Sequence, residues 1–220
     1  MKMYAKPLIG AVILIGLMVA ASAWAWPRLG DQPLPFHYGL NGPDRYGSKA
    51  EAVLALPIVA VLLSLVFTAL PPLMPARARL ERSWGAFVTM WMALLVFLLV
   101  LHLVMLARDL GTPLAMERIV PIGVGLLTAV TGNLLGKVRY NYVFGVRTPW
   151  TLANERVWDR THRFAGWAMV LGGLTAVCIG LLIPTGLEPQ LHVLILICVV
   201  GPALAAVVYS YIESRRLGAT

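Results

Sequence analysis

Six stretches of about twenty apolar residues leave this chain few folds to choose from. They cover residues 7–26, 51–70, 84–107, 116–136, 164–184 and 190–212. A helix needs roughly 20 mostly apolar residues to cross the hydrocarbon core of a bilayer. Inside the bilayer, helices satisfy their own backbone groups, whereas isolated strands cannot. The chain is therefore read as an all-α integral membrane protein with six transmembrane helices. Composition agrees, since only 13% of the 220 residues are charged, against about 25% in soluble domains. The first stretch resembles a secretory signal, with Lys2 and Lys6 ahead of an apolar core and Ala23-Trp24-Ala25 behind it. It is also long enough to span, and is read as the first helix.

A formal charge of +8 would suggest nucleic acid in a soluble protein. In a membrane chain it sets orientation, because Lys and Arg accumulate on the cytoplasmic side. With the N-terminus inside, that side holds Lys2, Lys6, Arg77, Arg79, Arg82, Lys137, Arg139, Arg147, Arg156, Arg160, Arg163, Arg215 and Arg216. The outer side holds only Arg28, Arg45, Lys49, Arg108 and Arg118. The expected topology is N-in and C-in, with no direct nucleic-acid partner. Cys178 and Cys198 both lie in apolar stretches and are read as packing residues rather than a disulfide.

Three spans per half give two units, 1–110 with an outer loop at 27–50 and 111–220 with an inner loop at 137–163. Both loops contain Gly-x-x-x-Pro, then an aromatic, a hydroxyl residue and a glutamate. These are Gly39, Pro43, Tyr46, Ser48 and Glu51 in one, and Gly145, Pro149, Trp150, Thr151 and Glu155 in the other. The match hints at a weak 3+3 inverted repeat, as in many transporters. Chance likeness of two turn-rich loops is the alternative. Gly132-x-x-x-Gly136 and Gly172-x-x-x-Ala176-x-x-x-Gly180 are expected to be ridges for close helix packing. Pro57, Pro121 and Pro202 are expected to kink their helices.

In the outer loop, His37, Asn41, Asp44, Arg45 and Lys49 stand among aromatics on a Gly- and Pro-rich backbone. Two readings stand: a binding loop, or an amphipathic cap with Phe36, Tyr38 and Tyr46 at the headgroups. His37, His102 and His192 fall toward the outer side, but no ligand spacing joins them.

The inner loop is the most polar part of the chain. Its candidate binding residues are Asn133, Lys137, Arg139, Asn141, Arg147, Thr148, Trp150, Thr151, Glu155, Arg156, Trp158 and Arg160. Thr151 is read as the N-cap of a short amphipathic helix ending near Arg163. On it, Glu155, Asp159 and His162 share a face at i, i+4 and i+7. That face suits a metal or acid–base chemistry. In the competing reading the acids pair with neighbouring Arg and Lys, while Trp150 and Trp158 anchor the helix in an anionic leaflet. Asn133, near the end of span four, is expected to hydrogen-bond between helices. No Gly-rich phosphate loop, nucleophile elbow, paired-Cys motif or HExxH occurs. No cofactor is expected, and no feature argues for an enzyme.

The run Gly132-Asn133, Lys137, Asn141, Gly145-Val146-Arg147-Thr148-Pro149-Trp150-Thr151, Val157-Trp158, Thr161-His162-Arg163 resembles the signature of the SdpI family of bacterial membrane proteins. Pro35-Phe36-His37 and Gly42-Pro43-Asp44-Arg45-Tyr46-Gly47-Ser48-Lys49, with Pro57 behind, resemble a small membrane domain of unknown function often found N-terminal to it. Together the two cover nearly the whole chain. The resemblance implies a six-span protein of the bacterial inner membrane that protects a cell against a secreted peptide toxin. It further implies recruitment of a cytoplasmic transcriptional repressor to the membrane, and no transferable catalytic residues. Two other readings are a small transporter or lipid translocator, and a metal-dependent membrane enzyme built on Glu155, Asp159 and His162.

Overall fold

The computed structural model describes residues 2–39, 42–73, 80–182 and 188–218, with the side chains of 2, 3, 36–39, 42, 73, 117 and 188–191 outside that description. Its long helices are α1 (Lys2–Ala25), α2 (Lys49–Ala69), α3 (Trp84–Asp109) and α4 (Met116–Leu135). After the short α5 (Pro149–Ala153) come α6 (Glu155–Leu182) and α7 (Glu188–Arg216). Among the described residues six helices are long and apolar enough to cross a membrane, as the six stretches predict. Many of their large side chains, such as Leu62, Trp167, Leu182 and Leu204, point outward, where lipid rather than water is the solvent.

One feature departs from the all-helical expectation. The outer loop folds into an antiparallel hairpin of β1 (Leu34–Gly39) and β2 (Gly42–Gly47), with Leu34 opposite Gly47 and His37 opposite Arg45. The pairing is irregular on both sides of His37. The hairpin hands directly to α2 through a capping box. Ser48 Oγ accepts the Glu51 N–H, and Glu51 Oε2 accepts the Ser48 N–H at 2.6 Å. Two orphan amides at the helix start are thereby satisfied.

Helices α1, α2 and α3 pack together around Met18, Ala60, Trp91 and Leu95. Polar groups in this interface are matched in pairs. The Trp91 indole donates to Ser64 Oγ at 3.2 Å. Ser22 Oγ donates to the Val53 carbonyl at 2.8 Å and lies 2.9 Å from His102 Nε2. His102 also faces the Met18 carbonyl at 3.2 Å. The buried His102 thus joins three helices.

Helices α4, α6 and α7 form the other group, and α3 packs on α4 to connect the two. The α4–α6 seam is made of glycine. A Cβ on Gly132 would lie 2.7 Å from the Gly166 carbonyl, and one on Gly173 would lie 2.5 Å from the Gly125 carbonyl. Small residues let backbones approach in this way, which replaces the hydrophobic drive missing in lipid. The expected ridge through Gly172, Ala176 and Gly180 is shifted by one residue at its start. Gly173, with Ala176, packs on Gly125 of α4, and Gly180 packs on Ile122; Gly172 turns away and meets Cys198 and Pro202 of α7. Both cysteines are free, Cys198 half-buried and Cys178 exposed, so Cys178 is not the packing residue it resembles in sequence.

Candidate functional site

The inner loop between α4 and α6 is held by buried hydrogen bonds, and most of the conspicuous residues of the sequence motif make them. Asn141 is buried. Its Oδ1 accepts the N–H groups of Val143 and Phe144 at 2.7 and 3.0 Å, and its Nδ2 donates to the Arg139 carbonyl at 2.8 Å. This is an Asx turn, in which a side chain stands in for the backbone. Ser83, at the start of α3, accepts the Arg139 N–H at 2.8 Å, tying the loop to the first half of the chain.

The next turn closes on α6. Gly145 has φ of +120°, a region that side chains disfavour. A Cβ there would overlap the His162 imidazole. His162 Nε2 accepts the Val146 N–H at 3.0 Å, so its proton sits on Nδ1, which donates to the Trp158 carbonyl at 2.9 Å. The His162 and Trp158 rings stack with centroids 3.9 Å apart. Trp158 in turn donates its indole N–H to the Val138 carbonyl at 3.0 Å. Trp158 is fully buried, so it is not the membrane anchor expected from the sequence; Trp150 is half-buried and packs edge-on against Tyr211 of α7.

Helix starts also differ from expectation. Thr148, with Pro149 after it, caps α5, and Thr151 is the third residue of that helix. The two threonines exchange hydrogen bonds: the Thr148 N–H donates to Thr151 Oγ1 at 2.9 Å, and the Thr151 N–H to Thr148 Oγ1 at 3.2 Å. Thr148 also pairs with Ser210 of α7 at 3.0 Å. Asn154 caps α6 through Oδ1, which accepts the Arg156 and Val157 N–H groups. The expected short helix to Arg163 is therefore the first two turns of α6, which runs on unbroken into the membrane span.

The three-residue metal face does not assemble. Glu155 and Asp159 are exposed, whereas His162 is buried with both ring nitrogens engaged. Among the described residues no group of three metal-ligating side chains converges. Glu155 and Asp159 instead line a polar cleft of about 540 Å³ with Arg82, Arg139 and Tyr140. Arg160 is bound to Glu213, an almost completely buried carboxylate on α7, with Arg216 at 3.9 Å. Asn133 is exposed and faces a second groove of about 470 Å³ rather than bridging helices. Lys137, Arg147, Arg156 and Arg163 are exposed around the same end of the bundle.

On the hairpin, Asp44 and Arg45 are exposed on β2. Lys49 is not free for a ligand: its Nζ donates to the Leu29 carbonyl at 2.7 Å, approaches Asp31 at 3.9 Å and lies over the Trp26 ring. It fastens the hairpin to the end of α1. Asn41, like Arg77 and Arg79, lies outside the described residues.

The fold and this loop define a multi-pass helical membrane protein with a structured polar face at the end of α4 and α6. Residues 137–211 match the SdpI/YfhL protein family, and residues 13–61 match a domain of unknown function, DUF1648. The chain is 26% identical over 199 residues to Immunity protein SdpI of Bacillus subtilis (strain 168), covering 90% of this chain and 93% of that protein. It is 30% identical over 86 residues to Uncharacterized protein YfhL of the same organism, covering 39% of this chain and 78% of that protein. The chain belongs to the SdpI/YfhL protein family. No solved structure matches it.

Proposed function

We propose that this protein is an immunity and signalling protein of the bacterial inner membrane that protects against a secreted peptide toxin. The observation that carries the reading is the similarity to Immunity protein SdpI along nearly the full length of both chains. In this reading the halves 1–110 and 111–220 have separate tasks. Exposed Asp44 and Arg45 on the outer hairpin, with His37 opposite Arg45, meet the toxin or its lipid-linked target. Arg139, Arg147 and Arg156, displayed by the hydrogen-bonded inner loop, recruit a cytoplasmic repressor. The polar cleft of Arg82, Arg139, Tyr140, Glu155 and Asp159 offers such a partner both signs of charge, which favours register and specificity.

The test is survival of a deletion strain challenged with secreted membrane-active peptides and complemented with wild type, His37→Ala or Arg147→Ala. Protection by wild type that His37→Ala abolishes supports outer recognition. Protection retained by Arg147→Ala with loss of repressor recruitment separates the two faces. Equal survival with and without the gene overturns the reading.

A further inference from the structure

The second groove, at the inner-loop end of α4 and α6, has a composition of its own. Its floor is the glycine seam, where Gly132 and Gly166 bring the two backbones together. Its walls include Asn133, Gly136, Trp167 and Val170, and its rim carries Lys137 and Arg163. Among the described residues neither rim head group has an ion pair or a hydrogen bond. Below Arg163, Trp167, Leu171 and Leu174 follow at helical spacing on one outward face, with Trp167 68% exposed. An unpaired cation pair therefore stands at the head of a groove whose apolar wall, Trp167 and Val170, continues into the exposed apolar face of α6.

We propose that this groove is a site for an anionic phospholipid, with its phosphate between Lys137 and Arg163 and one acyl chain lying along Gly136, Trp167 and Val170. Charge complementarity selects the headgroup. The apolar furrow, continuous with surface that faces hydrocarbon, selects a tailed ligand over a soluble one. Basic pockets between helices at a membrane surface hold anionic headgroups for this reason. A tryptophan one turn below the cation fits the interfacial depth. Gly136, where a side chain would meet open space beside the tight Gly132–Gly166 contact, leaves the room that the tail would fill. The site is independent of any toxin, since it needs only the bilayer.

The experiment is native mass spectrometry of the purified full-length protein in a non-ionic detergent, titrated with phosphatidylglycerol, phosphatidylcholine or tail-less glycerol 3-phosphate. Phosphatidylglycerol is expected to bind in preference to phosphatidylcholine. K137Q/R163Q is expected to weaken it about 30-fold, each cation near an anionic headgroup being worth about fivefold. The control R215Q, an exposed cation near the end of α7, leaves binding unchanged. G136L is expected to block the tailed lipid, and a side chain at Gly136 meets open space, so the helix seam stays intact. Equal binding of the two lipids, or no change in K137Q/R163Q, overturns the site. Binding of glycerol 3-phosphate as tight as that of phosphatidylglycerol shows a free-anion site and also overturns it, as does G136L that binds like wild type. Because the readout is lipid mass on purified protein, its failure is separate from failure of the immunity assay.

Discussion

Gly145 and His162 are built for each other: the glycine has no side chain where the imidazole lies, and its φ of +120° aims the next amide, that of Val146, at His162 Nε2. At this turn the loop meets α6 through a backbone amide, beside the packing of Val138 and Tyr140 on Trp158. Gly145→Ala combines a strained dihedral with overlap. Strain alone costs on the order of 1–3 kcal/mol. The expected result is a lower melting temperature in detergent and faster amide exchange across 143–148, with the helical spans still protected.

Trp158 joins α6 to Val138 and stacks on His162. Trp158→Phe keeps an aromatic ring but leaves the Val138 carbonyl unpaired, an expected loss of about 1–3 kcal/mol. Arg156→Ala, two residues away and exposed, should stay within about 0.5 kcal/mol. Thermal unfolding of both variants checks the contrast. Equal losses would mean that Trp158 acts as a surface anchor after all.

The glycine seam predicts an asymmetry between positions. Gly173→Leu places a side chain into the α4 backbone and is expected to prevent a monodisperse protein from being purified. Gly16→Ala in α1 meets open space and is expected to be neutral or to stabilise by about 0.5–1 kcal/mol, since Ala replaces Gly inside a helix. Size-exclusion profiles and melting curves distinguish the two.

Glu213 is buried beside Arg160, so removing that cation leaves the carboxylate only the longer contact with Arg216 at 3.9 Å. The arginine side chain is itself half in solvent, which limits the cost. Arg160→Met is expected to destabilise by about 1–3 kcal/mol. Arg160→Met with Glu213→Gln should recover a large part of that loss. A double-mutant cycle on unfolding midpoints measures the coupling, and additivity would show that the pair does not interact.

How much of this was legible depended on the kind of signal. Helix count follows from length, because about twenty apolar residues have one economical use in a bilayer. Which face a residue turns inward does not follow, and Trp158 and Gly172 show why: a step of one residue rotates a helix face by about 100°. The α5 start was readable from Pro149, since Pro favours the first helical position and so marks Thr148 as the cap. The hairpin had one local cue, Asn41-Gly42, a pair favoured in tight turns between strands, with the alternation around it broken by Pro35 and Pro43. Candidate site residues were legible as a set but not by role. Asn141, Thr148, Thr151 and His162 spend their polarity inside the loop, and only the spatial arrangement separates them from the displayed cations.

Helix α6 has 28 residues and no proline, and the inner loop is bonded to its first two turns at Asn154, Trp158 and His162. Such a rod is about 42 Å long. A tilt of about 5° at its far end carries the near end through roughly 4 Å, and the Gly145–Val146 turn bonded to it is displaced with it, against the loop's ties to Ser83 and Ser210. The lipid-embedded shaft and the polar face outside it therefore move as one lever, and a spin label placed in the loop reports the angle of the helix.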